Sequence, residues 1–137
     1  MPFNYFLKSK EVRKTTPNSE LAKSLIKDMK ERINKINMLD INIFAKIIFE
    51  NLYDGLRDFC DALLALDGFK SYSHQASISY LLEKGFDVSI TEELDQFRYK
   101  RNGSKYYGEE IISKDAQQIK EFYNRIKTKI NTILKKI

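Results

Sequence analysis

The stretch FRYKRNGSKYYGEE, Phe97 to Glu110, places four basic side chains and three tyrosines within fourteen positions. Cationic groups neutralise phosphate, aromatic faces stack on bases and phenols donate hydrogen bonds, so this composition suits a phosphate chain. Arg101 is the most informative residue in it. Upstream, Ile90, Leu94 and Phe97 recur at spacings of four and three, which predicts the buried stripe of a helix, and the next position on that stripe is Arg101. Burying an unpaired guanidinium costs several kcal/mol, so Arg101 must reach water, a carboxylate or a bound anion. Arg98 and Lys105 lie three positions before it and four after it, and a helix continuing that far would align three cations on one side. Gly103 costs a helix about 1 kcal/mol relative to Ala, and Asn102 tolerates unusual dihedrals. The helix is therefore expected to bend or end here, with Tyr106 and Tyr107 just beyond. The plainer alternative has Arg101 snorkelling at a helix terminus and the tyrosines packed as amphipathic core residues.

Other reactive side chains are few. His74, the one histidine, stands beside Ser73 at the start of a short helical segment, where a capping or solvated role is expected. Cys60, the one cysteine, follows Phe59 on an apolar helical phase and reads as a small buried hydrophobe. Glu50, Asp54, Asp58 and Asp61 form an acidic edge whose spacing suits pairing with basic helices, Arg101 among the candidates. One histidine and one cysteine do not make a zinc, haem or iron–sulfur site within one chain. Neither a Gly-rich P-loop nor a G-x-S-x-G elbow is present. No cofactor is expected.

The elements that must position these groups read as helices throughout. Two prolines and five glycines punctuate the chain, and no segment sustains period-two alternation, so the expected fold is all-α, an antiparallel bundle of four to five helices without a sheet. After an amphipathic start around Phe3, Tyr5, Phe6 and Leu7, Thr16 and Pro17 predict the opening of helix one, with Leu21, Leu25, Met29, Ile33 and Ile36 as its buried face. Asp40 is expected to cap a second helix running through Ile41, Phe44, Ile48, Leu52, Leu56, Phe59, Leu63 and Leu66 to Gly68. A short third helix begins near Ser71 or Ser73. Ser89 to Glu92, S-I-T-E, has capping-box spacing and predicts a fourth. The fifth begins at Ser113 with Ile119, Phe122, Ile126, Ile130, Ile133 and Ile137 as its seam and lysines on the exterior. That basic exterior is read as a solvated face or as an RNA track, the latter with steep salt dependence.

The 137 residues fit one domain, with 1–15 as a short N-terminal extension and 16–137 as the bundle. A formal charge of +5 favours an anionic partner. The single cysteine excludes an intrachain disulfide, no run reaches the roughly 18 to 20 apolar residues of a membrane span, and the N-terminus carries its apolar residues before its charges, the reverse of a signal peptide. A cytoplasmic protein without a membrane partner is expected.

Arg101-Asn102-Gly103-Ser104-Lys105-Tyr106, with the apolar bundle around it and the stretch from Gly68 to Gly85, resembles the HEPN domains (higher eukaryotes and prokaryotes nucleotide-binding), whose hallmark is R-x4-6-H, often R-N-x-x-x-H. The resemblance spans roughly residues 19–137 and fits the motif except at its last position, where Tyr106 replaces His. It implies a prokaryotic-type helical homodimer with two Arg motifs facing across a cleft. It also implies metal-independent endoribonuclease activity in toxin–antitoxin or phage-defence settings, or pairing with a minimal nucleotidyltransferase. Carried onto this chain, it assigns Arg101, Asn102 and Tyr106 to the catalytic position, with Arg98, Lys105 and Tyr107 as nucleic-acid contacts. A phenol, with a reference pKa of about 10, is a poor base at neutral pH. RNA or nucleotide-phosphate binding with slow or absent cleavage is the resulting expectation; the alternatives are a non-enzymatic subunit docking on a partner such as a nucleotidyltransferase, and a structural bundle without a ligand.

Overall fold

Long amphipathic segments with few breakers should pair their apolar faces, and the computed structural model, which describes residues 1–137, is mostly helical. Its elements are α1 (Phe3–Lys8), β1 (Val12–Lys14), α2 (Ser19–Ile36), α3 (Ala45–Asp67), β2 (Phe69–Ser71), α4 (His74–Ser79) followed by a 3₁₀ turn (Tyr80–Lys84), α5 (Val88–Tyr107) and α6 (Ser113–Leu134). The helix α3 is the axis of the core. Ile48, Phe49, Leu52, Tyr53, Leu56, Phe59 and Cys60 are each at most 2% exposed along it. Its neighbours contribute Met29 from α2, Leu94 and Phe97 from α5, and Ile119, Phe122 and Ile130 from α6.

The α2–α3 pair is antiparallel. The backbone N–H of Asn18 donates to Ala65 O at one end, and Arg32 meets Asp54 and Asp58 further along. Small residues line the near end, where Ala22 and Ile26 pack on Ala62 and Ala65. The start of α2 is set by Asn18, whose side chain accepts from Leu21 N at 3.0 Å, and not by Thr16 and Pro17. That later start matches a shifted phase: Ala22, Ile26, Met29 and Ile36 are buried, whereas Leu21 is 47% exposed. Asp40 caps a turn, accepting from Asn42 N and Ile43 N, and the regular helix begins later at Ala45.

Two further departures concern the chain's punctuation. The expectation of no sheet is corrected by an antiparallel ribbon in which Val12, Arg13 and Lys14 face Ser71, Lys70 and Phe69. Strands of three residues separated by two helices leave no local alternation and no hairpin turn to read. The ribbon ties residues 1–15 into the fold, and Phe3 and Phe6 of α1 are buried, Phe3 against Phe69 and Tyr80. Second, α5 neither bends nor ends at Asn102-Gly103; it continues to Tyr107 and is closed by Gly108 at φ 69°. Gly103 is buried, and a Cβ there would run into the Glu109 carboxylate. The helix end is fixed by Glu109 N donating to Gly103 O at 3.1 Å as the chain returns.

Candidate functional site

Because α5 runs unbroken past Arg101, Arg98, Arg101 and Lys105 project from successive turns, with Asn102 and Tyr106 beside them. These five residues form one wall of a polar cavity of about 290 Å³. The opposite wall is Ser73, His74 and Gln75, brought there by the tight passage from β2 into α4. Ser73 is the cap of α4 and accepts from Ala76 N, and its own carbonyl accepts from Ser71 Oγ at 2.7 Å. Local turn chemistry thus fixes where His74 stands. Lys105 and Tyr106 are exposed at the rim, with the Lys105 ammonium 5.5 Å from the Tyr106 ring centroid. Tyr107, 82% exposed at the helix terminus, is not part of the wall.

Arg101 meets a carboxylate, one of the three outcomes its buried phase demanded. Its Nη2 lies 3.1 Å from Asp54 Oδ1, and its guanidinium sits 5.6 Å from the Tyr53 ring centroid on α3. Its Nε is buried without a hydrogen-bond partner. Asp54 is shared: Arg32 Nη1 approaches it at 3.8 Å, while Arg32 Nε pairs with Asp58 at 3.2 Å. The acidic edge is thereby accounted for by pairing, since Glu50 meets Lys46 and Asp61 meets Arg57 and Ser77. Arg98 is steadied by Asp95 at 2.6 Å. Among the three cations of the wall, Lys105 has no carboxylate within ion-pair distance.

His74 was expected as a capping or solvated residue, and its position is more specific than that. The phenol of Tyr53, a wholly buried residue, lies 3.1 Å from His74 Nδ1, and the two rings are nearly parallel, 17° between planes, with centroids 6.2 Å apart. Although His74 is exposed on its outer side, burial of its inner side together with Arg57, Arg101 and Arg98 lowers its pKa to about 4, against the opposing pull of Asp61. The imidazole is uncharged at neutral pH. Burial raises the Tyr53 phenol to about 12 in spite of the nearby Arg57, so it keeps its proton. Sequence reasoning missed Tyr53 because a tyrosine on the α3 apolar phase is indistinguishable from core. The available signal for His74 was proximity in the fold, which spacing along the chain does not carry.

No protein-family model matches the chain, and no curated protein or solved structure of significant similarity was found. The site's chemistry therefore rests on its own geometry. It offers three cations, two neutral amides, a serine, an uncharged imidazole and a phenol around a space large enough for a phosphate group. No group of His, Cys, Asp and Glu is arranged to hold a metal ion.

Proposed function

We propose that the chain binds the phosphate chain of RNA or of a nucleotide in this cavity, through Arg98, Arg101, Asn102 and Lys105, and that it cleaves RNA slowly or not at all. The observation that carries the reading is the cavity itself: eight lining residues of which one is hydrophobic, with an Arg101 held rigidly by Asp54 and a Lys105 that lacks a carboxylate. A guanidinium anchored by a carboxylate keeps its remaining N–H donors in a fixed direction, which is what a planar phosphate edge selects. The resemblance to HEPN domains supports the same reading, and Tyr106 in place of the motif His supports weak chemistry.

The test is fluorescence anisotropy with a short single-stranded RNA over a range of salt. Affinity should fall as salt rises, and Arg101→Ala should weaken binding about tenfold or more, the order expected for a charge-assisted hydrogen bond. Asp54 keeps Arg32 as a partner in that variant, so circular dichroism should change little. In EDTA the native chain should cleave slowly, and Tyr106→His should raise the rate by adding a group with a reference pKa near 6.5; 2′,3′-cyclic phosphate ends would identify the 2′-hydroxyl as nucleophile. Fast cleavage abolished by Tyr106→Phe would show the phenol to be competent. No RNA binding by either form would remove the reading.

A second reading, docking on a partner such as a nucleotidyltransferase, is favoured by a different observation. Met38 and Ile43, 86% and 74% exposed, adjoin the half-exposed Ile47 at the α2–α3 turn. A homodimer belongs to the first reading, and light scattering at micromolar concentration that gives 16.2 kDa would exclude it.

A further inference from the structure

We infer that His74 is a ligand-contacting residue of this cavity, an uncharged donor whose Nε2–H meets a phosphate oxygen from the wall opposite Arg101, and that Tyr53 is the positioning residue that fixes its tautomer. The inference rests on the phosphate reading above and deepens it.

The argument starts from a proton that must go somewhere. Tyr53 is wholly buried, and a buried phenol has to place its O–H on an acceptor. The acceptor that meets that phenol in the structure is His74 Nδ1, at 3.1 Å. Arg57, on the same helix, also hydrogen-bonds the phenol, but a guanidinium carries donors alone and leaves the phenolic O–H free to donate. Tyr53 therefore donates to Nδ1. In a neutral imidazole the other nitrogen then carries the proton, so Nε2 is a donor. The hydrogen bond meets the imidazole at its Nδ1 edge, with the two rings nearly parallel at 17° and their centroids 6.2 Å apart, and so fixes which nitrogen faces Tyr53.

The surroundings keep the ring neutral as well as oriented. Arg57 from α3 and Arg98 and Arg101 from α5 all oppose a positive imidazole, and Asp61, the acid that favours one, is already engaged by Arg57 and Ser77. A ring fixed as an Nε2–H donor cannot accept a proton at Nε2. It contributes binding and orientation to a phosphate, and it cannot serve there as the base that Tyr106 fails to supply. The cavity thereby suits a nucleotide phosphate held between a guanidinium and a neutral imidazole.

A single histidine makes the test direct, because nitrogen NMR of the one imidazole reads tautomer and ligand contact together. The free protein should show the Nε2–H tautomer, and inorganic phosphate should displace the Nε2 signal. His74→Ala should weaken phosphate and single-stranded RNA binding about tenfold, the value of one hydrogen bond to a charged group. His74→Gln, whose amide nitrogen reproduces Nε2–H, should retain most of the affinity, and His74→Asn, which reproduces the Nδ1 side, should not. Tyr53→Phe should mix the tautomers and weaken binding, with its melting temperature measured alongside; a folded variant showing an unmixed tautomer would count against the role given to Tyr53. An Nδ1–H tautomer in the free protein would overturn the inference. So would phosphate binding that leaves the His74 signal unmoved and His74→Ala at full affinity, an outcome that would leave the phosphate reading standing. Failure of phosphate and of RNA to bind at all would overturn both.

Discussion

Arg101 shows how a single residue out of phase can be read. A guanidinium on an apolar stripe must be compensated, and Asp54, on α3, compensates it at 3.1 Å. The demand was visible in sequence, since Ile90, Leu94 and Phe97 set the stripe; the partner was visible as one of four acids on an edge. His74 was not legible in the same way, because Ser73 beside it satisfies a local capping reading and nothing in the spacing indicates Tyr53. The pH behaviour of these residues follows from their surroundings. His74, with a folded pKa of about 4 against 6.5 when unfolded, binds fewer protons folded than unfolded between those values. Its contribution to stability is full above pH 6.5 and is lost as pH falls toward 4. Asp58 behaves oppositely: burial raises it to about 6 despite Arg32, so its contribution is full below its unfolded value near 4 and is lost as pH rises through 6. The two slopes oppose each other between about pH 4 and 6. We expect the imidazole signals to titrate with a midpoint near 4 in the native chain and higher in Arg101→Gln; a midpoint at 6.5 in the native chain would contradict the burial of the ring's inner side and the placement of the arginines.

At the scale of elements, the difference between what was and was not legible lies in range. Helices α3 and α6 were readable because each keeps one apolar phase over many turns, through Ile48, Leu52, Leu56, Phe59 and Leu63 in one and Ile119, Phe122, Ile126 and Ile130 in the other. Phase failed in α2, where Ala22 and Ala62 allow close approach and small residues carry little hydropathy signal. The end of α5 failed because Gly103 was read as a breaker, whereas its carbonyl accepts from Glu109 N as the chain leaves the helix at Gly108. Gly68 is a firmer case of punctuation. It closes α3 at φ 82°, and its carbonyl accepts from Thr15 N at 2.7 Å, joining the helix end to the segment leading into α2. A Cβ at Gly68 would lie 2.7 Å from the Thr15 carbonyl oxygen and near the Pro17 ring. Gly68→Ala should therefore cost about 2 kcal/mol or more, the left-handed conformation alone accounting for roughly 1 to 2. Urea denaturation would measure it, and an unchanged midpoint would mean that the α3–β2 junction is looser than its geometry.

The whole molecule is organised around α3, which supplies Tyr53 to His74, Asp54 to Arg101 and the buried face on which the other helices rest. Fold class was legible because 42% hydrophobic residues arranged at helical spacing leave few alternatives. The cavity was half legible: its α5 wall came from one contiguous stretch, and its α4 wall depends on a two-stranded ribbon that no local pattern announces. Cys60 lies on the inner face of α3 with no exposure, and burial pushes its thiol well above the ordinary range. A thiol reagent in water therefore has no route to the sulfur while the helices remain packed, and modification must wait for the chain to open. The labelling rate of this one sulfur becomes a clock for opening of the core: in the regime where reclosing outpaces reaction, it reports the free energy of opening, and a native chain that reacts as fast as an unfolded one would show that the centre of α3 is reached through a much smaller fluctuation.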